Sequence, residues 1–198
     1  LDGKLYGVPF GVNCLGLYYN EDMLNAAGCS VPTTWDELME TAKAVTTDSV
    51  SGLAFCSVQN EEGTFNFTPW LWSTGASSYE MDSKGGIKAL TFAKELIDSG
   101  VMSKECINRT QGDVMNQFIA GNVAMMVNGP WQIPTMQSEA PDLNWKVTLI
   151  PKDTEYASCL GGENYAVVKG GNTEGALDFL EYATEEDQVK YMMDAFGY

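Results

Sequence analysis

Histidine is absent from this chain of 198 residues, and Arg109 is the only arginine. The absence of histidine excludes Ser-His and Cys-His catalytic sets and removes the commonest transition-metal ligand. The five cysteines are an odd number, and no two of them have the C-x-x-C spacing of a zinc or redox motif. We therefore expect no bound metal and no cofactor.

Positive charge is also scarce, since 11 basic residues face 27 acidic ones and the net charge is −16. Such a chain repels nucleic acid and anionic membrane surfaces, so no nucleic-acid partner is expected. No apolar run approaches the length of a membrane span. The first residues, 1–4, contain no initiator methionine, signal peptide or lipid-anchor cysteine, which predicts a fragment or a trimmed product.

Sequence motifs that are typical of enzymes are also absent. The sequence has no G-x-G-x-x-G, no Walker loop, no G-x-S-x-G and no calcium loop. Acidic neighbours do occur at 61–62 and 185–187, but sequence neighbours on a helix or strand do not face each other across a cleft. We therefore predict no catalytic residues and a protein that is not an enzyme.

What is present is an alternation of apolar strands with amphipathic helices, which is typical of an α/β fold. The patterns predict strands over 52–58, 124–127, 145–150 and 165–168. Helices are predicted over 67–73, 110–120, 173–183 and 185–196, with a polar loop over 59–66. Thr34 and Glu37 form a capping box at the start of another helix.

The stretch Ala124-Met-Met-Val-Asn-Gly-Pro-Trp131 organises the rest of the chain. It reads as a buried strand that turns at Asn128-Gly129, with Pro130 at the first position of a new helix. Trp131 then falls at the carboxyl end of the strand, where open α/β sheets place their ligands. The competing interpretation is that Trp131 is a core aromatic.

Aromatic residues also cluster near predicted loops, together with amides and carboxylates. A sugar presents an apolar C–H face and a rim of hydroxyls, and it suits aromatic rings with polar groups at their edges. Aromatics fill cores equally well. The candidates are Phe65, Asn66, Phe67, Trp70, Trp72, Tyr79 and Trp131.

Five motifs occur in a specific order along the chain: Gly3-Lys-Leu-Tyr-Gly-Val-Pro-Phe10, Leu17-Tyr-Tyr-Asn-Glu-Asp-Met-Leu24, Val31-Pro-Thr-Thr-Trp-Asp-Glu-Leu38, Phe118-Ile-Ala-Gly-Asn-Val-Ala-Met-Met-Val-Asn-Gly-Pro-Trp131 and Gly161-Gly-Glu-Asn-Tyr-Ala-Val167. Together they resemble the extracellular solute-binding proteins of ABC sugar importers, the maltose-binding-protein-like group. The resemblance covers almost the whole chain.

The resemblance implies a periplasmic-binding-protein-like fold of class II, with two α/β lobes joined by hinge strands. Residues 1–13 would be a piece of the first lobe with a hinge crossing, and residues 14–157 the second, C-terminal-type lobe. Residues 158–198 would hold the return hinge and another piece of the first lobe. Parts of the first lobe at both ends would lie outside this sequence.

By the same resemblance, Trp131 is the ring that stacks on a sugar, and Asn13 is a polar hinge residue that faces the ligand. Phe65 offers a second ring from a loop. Apart from the resemblance, we expect Asn13, Asn66 and Glu163 to give specificity for the sugar's hydroxyls, because an unpaired buried polar group costs about 1–3 kcal/mol. The turn at the return hinge contributes Gly162 and Glu163. Trp70 belongs either to this pocket or to the core.

The resulting hypothesis is a substrate-binding component that captures a saccharide outside the cytoplasmic membrane and delivers it to ABC permease subunits. Its mechanism would be hinge closure around the ligand. It would be lipid-anchored at the cell surface or periplasmic. Three alternatives stay open: a binder of a cationic molecule such as a polyamine, a saccharide-active enzyme that uses Glu62 and Glu163, and a structural fragment without a competent site.

Overall fold

The computed structural model describes residues 2–197, which form a mixed α/β structure with six strands and eight α-helices. Two 3₁₀ turns, Lys104–Asn108 and Pro130–Gln132, precede α5 and α6. The strands are β1 Val8–Cys14, β2 Gly16–Asn20, β3 Ser51–Ala54, β4 Val123–Asn128, β5 Trp145–Thr148 and β6 Leu160–Tyr165. The helices are α1 Glu21–Ala26, α2 Trp35–Val45, α3 Glu61–Ser73, α4 Lys84–Asp98, α5 Gln111–Ile119, α6 Ile133–Glu139, α7 Thr173–Ala183 and α8 Glu186–Phe196.

Four strands form a central sheet in the order β3-β4-β2-β5. Strand β4 runs parallel to β3 and antiparallel to β2, and every residue of β4 is buried. Successive side chains point to opposite faces, so Met125 joins one core cluster and Met126 the other. Helices α2, α3 and α4 cover the first face, and α5 and α6 cover the second. Burial on both faces explains why β4 is a continuous apolar run.

The capping signals in the sequence act as predicted. The Thr34 hydroxyl accepts a hydrogen bond from the backbone N–H of Glu37, and the Glu37 carboxylate accepts one from the backbone N–H of Thr34, so the predicted capping box begins α2. Asn20 caps α1 through the N–H of Met23. Pro130 lies at the first position of a 3₁₀ turn that leads into α6, directly after β4.

The predicted loop over 59–66 is wrong, because helix α3 already begins at Glu61. The side chain of Asn60 accepts a hydrogen bond from the N–H of Glu62 and caps this helix. Gly63 suggests a break in the sequence, but a Cβ at this position would lie 2.1 Å from the carbonyl oxygen of Val58. The glycine therefore serves close packing rather than ending the helix.

Strands β1 and β6 form a separate antiparallel ribbon that pairs Asn13 with Gly161 and Val12 with Gly162. The strand predicted over 165–168 and the turn predicted at Gly162 and Glu163 are wrong, because β6 runs from Leu160 to Tyr165. Pairing with β1 fixes these bounds. Gly162 has φ +144°, and a Cβ there would lie 2.2 Å from the carbonyl oxygen of Gly11, so only glycine allows this close approach.

Helices α7 and α8 lie against the ribbon. Phe10 of β1 contacts Tyr165 and Phe196 through its ring, and Tyr165 contacts Phe179 of α7 edge to face. The predicted division into residues 1–13, 14–157 and 158–198 stays a prediction. The ribbon does bring two of the predicted boundaries together, because Asn13 and Gly161 are paired.

Candidate functional site

A cavity of about 500 Å³ opens where the ribbon meets the carboxyl end of β4. Its lining comes from β1, β6, the first turns of α3 and α5, and the turn that follows β4. The lining residues are Asn13, Glu61, Phe65, Gln111, Trp131, Leu160, Gly161, Gly162 and Glu163. Its volume falls in the range of about 300–1,000 Å³ that is usual for small-molecule sites.

Trp131 reaches the cavity because Pro130 starts a 3₁₀ turn immediately after β4. The indole ring of Trp131 packs against the backbone of Gly129. Its centroid lies 6.4 Å from that of Phe65, and the two ring planes are inclined by 51°. The half-buried rings therefore form two apolar walls of the cavity that meet at an angle.

Phe65 lies in helix α3 rather than in the predicted loop, and an unusual hydrogen bond fixes its backbone. Pro69 has no N–H to donate to the carbonyl oxygen four residues earlier, which belongs to Phe65. The Cys159 thiol donates to that oxygen instead, with an Sγ–O distance of 3.4 Å. Burial raises the pKa of Cys159 to about 11, so the thiol keeps the proton that it donates. This bond ties α3 to the residue that precedes β6.

Asn13 supplies a buried polar atom on the ribbon side of the cavity. Its side chain is almost fully buried, and a Cβ added to the facing Gly161 would lie 2.5 Å from its Oδ1. Within residues 2–197, no group donates a hydrogen bond to this Oδ1. A buried acceptor without a partner costs about 1–3 kcal/mol, which a donor on a ligand would offset. The oxygen has almost no accessible surface, so a ligand donor would reach it only after a local movement of the lining.

Polar groups surround the two rings. Carboxylates come from Glu61 on α3 and Glu163 on β6, and both side chains are exposed to solvent. Gln111, the first residue of α5, contributes a second amide besides Asn13. Ring faces bordered by amides and carboxylates match the surface of a sugar.

Two residues that the sequence places in the pocket lie elsewhere. Trp70 is 1% exposed and packs against Phe55, Trp35 and Phe92 in the core. Asn66 is fully buried and its Nδ2 donates to the carbonyl oxygen of Glu62. Because both are on α3, their positions on the helix turn them away from the side that carries Phe65.

The other aromatic candidates are also separate from the cavity. Phe67 packs against the core, the indole of Trp72 donates to Ser78, and Tyr79 is 98% exposed. Sequence reasoning missed Glu61, Gln111, Leu160 and Gly161 as lining residues. A usable signal existed for Gln111, since the predicted start of a helix near residue 110 points to exposed polar groups at its first turn.

Within residues 2–197, Cys, Asp and Glu side chains form no group of three that could hold a metal ion. No helix in that same range combines the length and the apolar composition needed to cross a membrane.

The family model of the bacterial extracellular solute-binding proteins matches residues 1–198. The chain belongs to this family. Among curated solute-binding relatives, the lactose-binding protein of Rhizobium radiobacter is 28% identical over 100% of this chain and 50% of its own length. The maltodextrin-binding protein MdxE of Bacillus subtilis is 26% identical over 94% of this chain and 47% of its own. The chain thus spans about half the length of these relatives.

Solved structures of solute-binding proteins show the same fold. A protein from Thermotoga lettingae bound with α-D-tagatose superposes with a TM-score of 0.87, at 30% identity over 98% of this chain and 53% of that one. The maltose-bound MalE3 of T. maritima gives a TM-score of 0.92, at 25% identity over 100% of this chain and 55% of that one. The expected periplasmic-binding-protein-like α/β fold is confirmed. The family consists of binding proteins, which agrees with the expectation that the chain is not an enzyme.

Proposed function

We propose that this solute-binding protein captures a saccharide in the cavity between the ribbon and β4, as the binding component of an ABC importer. The observation that carries the proposal is the pair of inclined rings, Phe65 and Trp131, with polar groups around them. A sugar ring would lie against Trp131, whose half-buried indole is already held in place by Gly129. Relatives whose names include lactose and maltodextrin support the same ligand class.

Polar specificity would come from Asn13, Glu163 and Gln111. The unpaired Oδ1 of Asn13 would accept a sugar hydroxyl, and the Glu163 carboxylate would accept another at the cavity's edge. A ligand in this position would contact both the ribbon and the part of the chain built on the four-stranded sheet. It would therefore favour the closed conformation, in which these two parts are close together. Asn66, expected from the sequence to read hydroxyls, is not included because it is buried in the core.

The physiological partner would be the membrane subunits of an ABC permease, which receive the sugar. The site of action would be outside the cytoplasmic membrane, with the protein lipid-anchored or periplasmic. Residues 14–157 would form the second lobe, and residues 1–13 and 158–198 would carry the hinge crossings and pieces of the first lobe. The pairing of Asn13 with Gly161 supports this division.

Isothermal titration calorimetry of the 198-residue chain with maltose, lactose and D-tagatose tests the proposal. We expect saturable binding of at least one sugar, abolished by Trp131→Ala and weakened by Asn13→Ala. Trp72→Ala is the matched control, because Trp72 is a partly exposed tryptophan on α3 outside the cavity. The proposal fails if no sugar binds to a chain that circular dichroism shows to be folded, or if Trp131→Ala binds as well as Trp72→Ala.

Spermidine serves as the probe for a cationic ligand, which the net charge of −16 and the two carboxylates of the cavity could attract. Saturable heat that disappears in Glu61→Gln and Glu163→Gln and at high salt would replace the saccharide with a polyamine. Heat that is weak and unaffected by these two substitutions would eliminate the cationic alternative.

A further inference from the structure

Gln111 lies at the junction of three elements that each supply one part of the cavity lining. It is the first residue of α5 and lines the cavity itself. Helix α3 contributes Glu61 and Phe65 to the same lining, and the turn after β4 contributes Trp131. The contacts that hold the Gln111 backbone therefore also set the relative placement of the two rings.

Both backbone groups of Gln111 are bonded to side chains of these neighbouring elements. Its N–H donates to Oε2 of Glu62 on α3 at 2.9 Å. Its carbonyl oxygen accepts from Nδ2 of Asn128, the last residue of β4, also at 2.9 Å. We call this arrangement of Glu62, Gln111 and Asn128 the Gln111 clamp.

Asn128 also forms hydrogen bonds with the turn that contains Trp131. It is fully buried, and its Oδ1 accepts hydrogen bonds from the N–H of Gly129 at 3.0 Å and from Nε2 of Gln132 at 3.4 Å. These donors lie just before and just after Pro130 and Trp131. The side-chain amide of Asn128 thus connects the first turn of α5 to Gly129 and Gln132, the residues on either side of Pro130 and Trp131.

Glu62 connects Gln111 to helix α3, which carries Phe65. Its carboxylate meets the N–H of Gln111 at the amino end of α5, where the helix dipole favours negative charge. In its own helix it lies three residues before Phe65, so the two side chains are neighbours on α3. The helix that carries Phe65 is therefore joined to the turn that carries Trp131 through four hydrogen bonds, of which the one to the Glu62 carboxylate is charge-assisted.

We propose that Glu62 and Asn128 are positioning residues of the saccharide site, which hold Gln111 and Trp131 in their binding geometry before the ligand arrives. This inference rests on the proposed function and names the residues that prepare the site without lining it. Groups that are already ordered lose less freedom on binding, so affinity is higher. A network whose donors and acceptors are all paired supports such ordering better than single contacts do.

The test uses ¹⁹F NMR of chains labelled with 5-fluorotryptophan. The five tryptophans give five signals, and Trp131→Phe identifies the signal of Trp131. In the ligand-free chain, Glu62→Ala should broaden or split the Trp131 signal, because the N–H of Gln111 loses its acceptor. Glu62→Gln should restore it, because an amide oxygen can still accept that hydrogen. Asn128→Asp should disturb the signal as Glu62→Ala does, since it removes the donor to Gln111.

Thr110→Ala is the matched control. Thr110 caps the same helix by accepting from the N–H of Asp113 at 3.1 Å, so its loss destabilises α5 without touching the clamp. We expect this variant to keep the wild-type Trp131 signal. The inference is overturned if Glu62→Ala leaves the signal unchanged, or if Thr110→Ala alters it to the same extent.

Calorimetry with the sugar that the wild-type chain binds completes the test. Glu62→Ala should weaken binding about ten-fold, whereas Glu62→Gln and Thr110→Ala should stay within about two-fold of the wild type. Equal affinities of Glu62→Ala and wild type would overturn the inference. If none of the three sugars binds to the wild-type chain, the proposed function fails, while the ligand-free Trp131 signal still decides whether the clamp orders the ring.

Discussion

The indole of Trp131 lies so close to Gly129 that a Cβ on residue 129 would be 2.0 Å from ring atom Cζ3. Gly129 has φ −112° and ψ 172°, an extended conformation that any residue adopts. Residue 129 must therefore be glycine because the indole of Trp131 leaves no room for a Cβ, and not because of its backbone conformation. The benzene part of the indole therefore packs against Gly129, and this contact helps to hold the ring at the cavity.

The first prediction follows from this contact. Gly129→Ala should displace the ring of Trp131 and reduce saccharide affinity at least ten-fold, because the stacking surface moves. Gly112→Ala is the control, since the nearest heavy atom to its new Cβ would be Oγ1 of Thr110 at 3.8 Å. Calorimetry should find the affinity of Gly112→Ala unchanged. Equal affinities in the two variants would contradict a stacking role for Trp131.

A second prediction concerns Ser73, at the end of α3. Its buried hydroxyl donates to the carbonyl oxygen of Glu155 at 2.7 Å and accepts from the N–H of Asp153 at 2.7 Å. Ser73→Ala leaves two backbone groups unpaired and should lower the free energy of unfolding by about 1–3 kcal/mol. Chemical denaturation measures this loss. Ser138→Ala, at an exposed hydroxyl on α6, should change stability by less than about 0.5 kcal/mol.

The third prediction is a loss of stability in acid. Hydrogen bonds from the hydroxyl and N–H of Thr33, and from the N–H of Thr34, lower the pKa of Glu37 below its ordinary value of 4.5. A depressed pKa in the folded state means that the contribution is present above pH 4.5 and is lost as the pH falls through the folded value. The difference in Tm between wild type and Glu37→Gln should therefore shrink below pH 4.5.

Glu40→Gln provides the comparison for that measurement, since Glu40 is exposed on the same helix and outside the capping box. Its Tm should track that of the wild type from pH 7 through the range below pH 4.5 in which the Glu37 contribution is lost. A Glu37→Gln difference that is constant across the whole range would mean that the capping box does not depend on the carboxylate charge.

The fourth prediction separates the cysteines by reactivity. All five thiols are free, Cys14 is exposed, and Cys56, Cys106 and Cys159 are buried. Burial raises the pKa of Cys56 and Cys159, so few thiolates form there at neutral pH. Ellman's reagent should modify Cys14 rapidly in the native chain and the three buried thiols only upon unfolding. Cys14→Ser combined with Cys29→Ser, which also removes the partly exposed thiol, should abolish the fast reaction, and a rapid phase that persists in this double variant would show that a buried thiol is accessible.

Local signals in the sequence were sufficient for several elements. The bounds of α7, Thr173–Ala183, are those predicted, because Asn172 caps the helix and an apolar face follows. The buried strand before Trp131 was equally readable, since a run without polar residues fits a strand covered on both faces. In both cases, the sequence signal lies within a few consecutive residues.

Helix α3 shows why local signals fail elsewhere. Gly63 and Pro69 both argue against a helix, yet each is explained by a group outside the helix. The carbonyl oxygen of Val58 leaves no room for a Cβ at residue 63, and the Cys159 thiol replaces the hydrogen bond that Pro69 cannot donate. Neither contact is visible in the sequence around the helix, so the predicted start was six residues late.

The candidate site likewise contains residues that the sequence predicted and residues that it did not. Trp131, Phe65 and Asn13 do line the cavity, as the order of motifs implied, although their roles in binding stay predictions. Asn66 follows Phe65 in the sequence, but a helix rotates adjacent residues by about 100°, which sends Asn66 into the core. Gln111 was not predicted to line the cavity, because its position there depends on hydrogen-bond partners in α3 and β4.

The cavity joins residues as distant along the chain as Asn13 and Glu163, so no short segment of the chain contains it. Bringing such distant segments together is the slow part of folding, because the entropy of the intervening chain must be lost first. The cavity is complete only when β1 and β6 are paired, because each strand supplies part of its lining. A sugar bound there would slow the reopening of the ribbon and raise the melting temperature of the whole chain, not only that of the ribbon.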